Sequence, residues 1–289
     1  MIPAQFDYVR PTTVEEAIQA LRDGGDDAKL LAGGQSLLPV LRLRMADPSL
    51  IIDLGGIPEL KGVREEGNEV VVGAMTSHYD VTRDDTLRQH VALIQEATKT
   101  VADPQVRHKG TLGGALAHAD PAGDLAAPAL ALDAQFVIAG PSQDGSGTGT
   151  RTVGAADFFE DYFTTAIGEG ELLTEIRFPK YTGWGARYEK FNRVAQAWSI
   201  VAVAATVKVD GGTISDARIG LTNMAGTPVR ARAVESALVG QSATEENVRK
   251  AAQAAAEGTS PTADADAGSD YREHLARVLT GRAVLAAAG

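Results

Sequence analysis

The sequence predicts a mixed α and β protein, with two lobes up to about residue 178 and a sheet-plus-helices domain after them. Three observations predict it. A capping box opens an amphipathic helix near the start, and short apolar runs further on end in turn residues, twice in a Gly-Gly pair. After residue 178 the pattern changes to a period-two strand, its return partner and two further helix starts. At 289 residues the chain is long enough for two or three compact lobes.

Thr13-Val14-Glu15-Glu16 is the capping box, and Val14, Ala17, Ile18 and Leu21 follow helical spacing until Asp23-Gly24-Gly25 stops them. Lys29 to Ala32 reads as a short buried strand running into Gly33-Gly34. Leu50 to Leu54 and Val70 to Val72 read as further strands, set apart by Gly55-Gly56 and Glu66-Gly67-Asn68. Leu87 to Val101 reads as one helix that Asp103-Pro104 ends, because proline disfavours helix in the residue before it. Gly140 to Gly149 reads as a hairpin tip or mobile loop; its glycines lack dinucleotide spacing.

Val201, Val203, Ala205, Val207 and Val209 alternate with smaller or polar residues, as in a strand with one buried face. Asp210-Gly211-Gly212 turns the chain and Thr213 to Thr222 returns as its partner. Two helices then close the chain, opening at Ser242-Ala243-Thr244-Glu245 and at Asp270-Tyr271-Arg272-Glu273. The second buries Tyr271, Leu275, Val278 and Leu279, and Gly258 to Gly268 between them is a surface loop.

Composition narrows the function. A formal charge of −11 argues against a nucleic-acid surface, although backbone amides can hold a pyrophosphate without side-chain charge. There is no cysteine, hence no disulfide, no thiolate nucleophile and no iron–sulfur cluster of the chain's own. The five histidines are dispersed, and no metal ligands are assigned. The N-terminus lacks a signal-peptide pattern, and no apolar run reaches the roughly 18–20 residues of a membrane helix, so the expected location is cytoplasmic.

Two glycine loops carry the chemistry. In Leu31-Ala32-Gly33-Gly34-Gln35-Ser36-Leu37, a strand ends and two glycines free the backbone beside an amide and a hydroxyl. Such a turn suits a pyrophosphate, which needs close backbone approach and several donors. Gly110-Thr111-Leu112-Gly113-Gly114-Ala115 repeats the pattern, and Asp120 and Asp124 follow around a Pro/Gly bend. Each Gly-Gly also fits a plain tight turn, and each aspartate a helix cap.

Together with other segments these loops resemble the FAD-binding medium subunits of the xanthine dehydrogenase and carbon monoxide dehydrogenase group. The resemblance spans essentially the whole chain. It rests on Ile2-Pro3 with Phe6-Asp7-Tyr8, on Ala32 to Ser36, on Ile52-Asp53-Leu54 and on Val72-Gly73-Ala74-Met75-Thr76. It continues through Ala102 to Arg107, Gly110 to Gly114, Gly170 to Thr174, Tyr188-Glu189-Lys190 and Gly220 to Asn223. Asp161 to Ile167, followed by Gly170 to Leu173, looks most like the carbon monoxide dehydrogenase branch.

The resemblance implies an α+β fold. Residues 1–57 and 58–178 would form a two-subdomain FAD-binding fold of the PCMH (vanillyl-alcohol-oxidase-like) type, and residues 179–289 a C-terminal domain of antiparallel sheet and helices. FAD would lie in the cleft between them, contacted by Leu31, Ala32, Gly33, Gly34, Gln35, Ser36 and Leu37 of the first loop. Thr111, Gly113, Gly114 and Ala115 of the second loop would join in cradling the pyrophosphate, with Val101 nearby. Asp124 would accept hydrogen bonds from ribityl or ribose hydroxyls. Leu173 and Lys190 match positions lining the adenine and isoalloxazine portions, where a cation favours the reduced, anionic ring.

Two residues depart from the family pattern. Gln35 stands where the family often has His, and both donate a hydrogen bond. Trp198 stands where close relatives place Tyr; its indole would either stack on the flavin or cover the sheet edge.

By the same resemblance the chain is one station in a relay, with cofactor-binding residues and no catalytic ones. Substrate is oxidised at a molybdenum cofactor in a large subunit, and electrons cross iron–sulfur clusters of a small subunit to reach the FAD. They leave to an external acceptor such as a quinone or cytochrome, from a dimer of heterotrimers that the complex can bring to the inner face of the cell membrane. The competing readings are a flavin subunit for purine, nicotine or aldehyde oxidation, a free-standing flavoprotein oxidoreductase, and a scaffold that has lost FAD.

Overall fold

The computed structural model describes residues 2–142 and 147–289. The first lobe is a parallel three-stranded sheet made of β1 (Asp7–Val9), β2 (Ala28–Leu31) and β3 (Leu50–Asp53), in the order β1-β3-β2. Helix α1 (Val14–Gly24) begins where the capping box places it: the Thr13 hydroxyl accepts from the Glu16 amide. The Glu16 carboxylate reaches back to the Thr12 amide, one residue earlier than in the standard box, and that bond holds its carboxyl below the usual range. Val14, Ala17 and Ile18 pack on Ala28 and Ile52. Helix α2 (Leu37–Arg42) follows the first glycine loop.

The second lobe has five antiparallel strands in the order β4-β5-β10-β6-β7. These are β4 (Val63–Glu66), β5 (Glu69–Gly73), β6 (Gln135–Pro141), β7 (Thr148–Gly154) and β10 (Leu172–Pro179). Between β5 and β6 run six short helices: α3 (His78–Val81), α4 (Asp85–His90), α5 (Ala92–Lys99), α6 (Pro104–Arg107), α7 (Leu112–His118) and α8 (Ala126–Ala131). After β7, helix α9 (Ala155–Phe158) leads into a hairpin of β8 (Phe159–Asp161) and β9 (Thr164–Thr165). The Gly140–Gly149 segment joins the paired strands β6 and β7, and residues 143–146 at its middle lie outside the described residues.

The single helix expected over 87–101 is two. It breaks at Val91 (φ −142°, ψ 44°), where the His90 carbonyl leaves the helical ladder to accept from the Tyr181 amide at 2.8 Å. The chain also leaves helix at Lys99, and Asp103 caps the next helix by accepting from the Val106 amide.

The last 105 or so residues form the antiparallel sheet β11-β12-β13-β14, with β11 (Gly185–Phe191), β12 (Val201–Asp210), β13 (Thr213–Thr222) and β14 (Val229–Arg230). The hairpin of β12 and β13 forms as the alternation and the Gly-Gly turn predict. Strand β12, however, is buried on both faces. Val201, Val203, Ala205 and Val207 pack under the C-terminal helices, while Ala202 and Ala204 face the core of the second lobe. Small side chains on that face let the two bodies close on each other.

Three helices, not two, close the chain: α10 (Arg232–Leu238), α11 (Glu245–Ala252) and α12 (Ser269–Ala288). Thr244 caps α11 as expected. On α12 the buried stripe is Arg272, Leu275, Ala276, Leu279 and Thr280. Tyr271 is 44% exposed and Val278 only partly buried, because the stripe is set by Arg272 turning inward to the Ile200 carbonyl. No helix among the described residues is long and apolar enough to cross a membrane.

Candidate cofactor site

Between the first two lobes and the last sheet lies a cleft of about 1440 Å³. That exceeds the roughly 300–1,000 Å³ of a pocket for one drug-sized ligand, so it has room for a larger one. Ala32, Gly33, Gly34, Gln35, Ser36, Leu37, Val101, Thr111, Gly113, Gly114, Ala115, Asp124, Leu173, Lys190 and Trp198 all line it. Leu31 does not. Its side chain turns behind the loop, where its Cδ1 stands 3.1 Å from the point a Gly34 Cβ would occupy.

The two glycine loops touch. A Cβ on Gly33 would fall 2.2 Å from the Lys109 carbonyl oxygen, so the first loop needs glycine there to lie against the second. Gly34 has φ +72°, the left-handed region that glycine enters freely. The amides of Gly33, Gly34, Gln35, Ser36 and Leu37 donate to no protein acceptor among the described residues. Gln35 instead turns its side-chain amide back to the Gly33 carbonyl at 3.0 Å. Five consecutive open N–H groups lead into the start of α2, an arrangement that binds anions.

The second loop differs from its sequence-based expectation. The Leu112 amide donates to Thr76 O, Gly113 to Ala74 O, Gly114 to the Thr111 hydroxyl, and Ala115 to Thr111 O. Of the amides from Thr111 to Ala115, that of Thr111 alone has no acceptor among the described residues. Gly113 is glycine because a Cβ would sit 2.5 Å from that of Ala74. This loop therefore contributes a wall and one or two donors rather than a second cradle.

Asp124 also departs from expectation. It caps no helix among the described residues, and it already has protein partners: Oδ1 accepts from Tyr188 and Ser199 hydroxyls, both at 2.9 Å, and Oδ2 from Lys190 Nζ at 2.8 Å. Burial pushes the Asp124 carboxyl up, opposed by Lys190 and the two hydroxyls. Burial and the Asp124 charge raise the Tyr188 phenol well above its usual value. Lys190 Nζ also reaches Thr100 O at 3.2 Å, which leaves one N–H for the cleft. The aspartate thus holds the lysine, and its Oδ2 keeps one acceptor site. Tyr188 and Ser199 were not expected here; Tyr188 could have been found from its place two residues before Lys190 on one strand face.

Trp198 stands 57% exposed on the segment joining β11 to β12. That segment crosses to the second lobe, where Gln196 Nε2 donates to Asp103 Oδ2 at 2.6 Å. Phe163, equally exposed on the β8–β9 hairpin, lines the cleft as well and lies against the His118 ring.

An extended cleft with an amide nest and a buried, anchored lysine defines a protein that holds a phosphate-bearing cofactor. Residues 4–181 match the family described as FAD binding domain in molybdopterin dehydrogenase, and residues 186–287 the CO dehydrogenase flavoprotein C-terminal domain. The chain is 42% identical to the carbon monoxide dehydrogenase medium chain of Hydrogenophaga pseudoflava, over 99% of this chain and 98% of that one. It is 40% identical to the medium chain of the same name from Afipia carboxidovorans, over 98% and 97%. A solved carbon monoxide dehydrogenase from Hydrogenophaga pseudoflava, lacking the Mo-pyranopterin moiety of its cofactor, has a chain that superposes with a TM-score of 0.93. That chain is 43% identical, with 99% of this chain and 98% of that one covered. The chain belongs to the FAD-binding flavoprotein subunits of the molybdenum hydroxylases.

Proposed function

We propose that the chain carries FAD in this cleft as the medium subunit of an aerobic carbon monoxide-oxidising molybdenum hydroxylase. The observation that carries the placement is the run of five open amides from Gly33 to Leu37 on the wall of a cofactor-sized cleft. Those amides would hold the pyrophosphate, with the Thr111 amide beside them. Val101, Leu173 and Trp198 supply apolar lining, and Lys190, fixed by Asp124, offers its remaining N–H. When bound, FAD stores two electrons that it receives singly. The protein's part is to hold and orient the cofactor and to shield it from water.

With no cysteine, the chain fits a relay in which a partner brings the iron–sulfur clusters and another the molybdenum cofactor. The likeness to two medium chains of carbon monoxide dehydrogenases supports carbon monoxide as the substrate oxidised in the large subunit. We further propose a dimer of heterotrimers in the cytoplasm, at the inner face of the membrane, that delivers electrons to a quinone or cytochrome. The division into 1–57, 58–178 and 179–289 is supported by the three main sheets.

The test is to isolate the complex from its native host and measure flavin, molybdenum and carbon monoxide oxidation. One FAD per copy of this chain, with carbon monoxide activity, is expected. An intact complex without flavin overturns the cofactor assignment. A flavin- and molybdenum-containing complex that oxidises purines, nicotine or aldehydes instead overturns the substrate.

A further inference from the structure

One group on the cleft takes no part in the reading above. His78 opens α3, where the Ser77 hydroxyl caps the helix by accepting from the Asp80 amide. Its own amide donates to Gly110 O at 2.9 Å, which ties it to the second glycine loop. The side chain is 3% exposed and lines the cleft. Its Nδ1 is sealed from solvent with no hydrogen-bond partner among the described residues.

The Cδ2–Nε2 edge of the ring lies against Gly110. A Cβ there would come within 2.7 Å of its Cδ2 and 3.0 Å of its Nε2. The Gly110 Cα is in turn 2.7 Å from the point where a Gly33 Cβ would stand. The imidazole is therefore separated from the open amides of the first loop by a single glycine. Burial, helped by Arg107, pushes its pKa down to about 4, so near neutral pH it carries one N–H. Nδ1 meets neither a donor nor an acceptor among the described residues, so its surroundings do not choose the tautomer; an acceptor on the cleft side would draw the proton to Nε2, the nitrogen beside Gly110. Nε2 is not sealed and has no partner among the described residues, so it is the ring nitrogen that a ligand in the cleft can complete. Phosphate oxygens only accept hydrogen bonds, and phosphate is what the neighbouring amides suit.

We propose that His78 is a cofactor-binding residue that donates a hydrogen bond from Nε2 to a phosphate oxygen of the dinucleotide held at the first glycine loop. The proposal rests on the cleft being the FAD site. It adds to the backbone nest a side-chain donor from a different element.

The experiment is to strip the purified complex of flavin and titrate FAD back into wild type, His78→Phe and His78→Gln, recording the melting temperature of each flavin-free form. His78→Phe is expected to raise the FAD Kd about 10–100-fold, as for loss of a hydrogen bond to a charged group, without lowering the flavin-free melting temperature. His78→Gln, which keeps a donor, recovers part of the affinity. An unchanged Kd in His78→Phe overturns the proposal. So does a weaker Kd matched by a lower flavin-free melting temperature and not relieved by Gln, since that marks a packing role. Should the Phe variant fail to assemble, hydrogen–deuterium exchange at the His78 ring C–H decides in wild type: FAD is expected to shift its pH profile, and an unshifted profile overturns the proposal. A wild-type complex that takes up no FAD contradicts the site assignment itself, a separate failure.

Discussion

The pair Gly33-Gly34 and the pair Gly113-Gly114 look alike as sequence, each with a hydroxyl close by, and the fold uses them in opposite ways. The second loop directs its amides inward, to Thr76, Ala74 and Thr111, and its Gly113 admits the backbone of Ala74. The first loop leaves five amides with no acceptor among the described residues. Asp124 belongs with the second loop in this respect, since Tyr188, Ser199 and Lys190 already donate to it. Every backbone polar group needs a partner, so where the N–H groups point separates a loop that builds the fold from one that waits for a ligand.

If that contrast holds, damage to the internally satisfied groups weakens the fold with or without cofactor. The largest effect is expected at Lys190. Replacing it by Met leaves Asp124 buried without its cation, at a cost of about 3–5 kcal/mol in urea unfolding. Next comes acid. The unfolded chain protonates His78 as pH falls through its ordinary value near 6.5, while the folded ring resists until about 4. The unfolded state then binds more protons, so stability present above pH 6.5 is lost on the way down to about 4. The loss is roughly 3 kcal/mol for the flavin-free protein, and His78→Phe removes that slope.

Gly113→Ala follows, with an overpacking cost of about 1–3 kcal/mol that added FAD does not rescue. Gly34→Ala has the smallest expected effect on folding, roughly 1 kcal/mol for its positive φ, yet it should lose FAD retention most. Equal flavin loss in both glycine variants, at equal stability, would erase the distinction between the loops.

Much of the fold could be read locally. Thr13, the alternation of β12 and the Gly211-Gly212 turn act within a few residues of themselves, and α1 and the β12–β13 hairpin formed accordingly. The break at Val91 could not be read, because its cause is the Tyr181 amide ninety residues on. Helix α10 was missed since Ala231, at its cap position, gives no capping signal, although Val234 and Leu238 have helical spacing. At the site, the residues that reach the cleft were largely legible and their roles were not. Which loop keeps its amides open depends on Thr76 and Ala74, and the partners of Asp124 come from two distant segments.

The most direct test is amide hydrogen exchange on the complex with and without FAD. The account predicts that residues 33–37 exchange quickly in the flavin-free form and become protected when FAD is added. Residues 112–115 should be protected in both. Protection of 112–115 that appears only with FAD, or no change at 33–37, would contradict it.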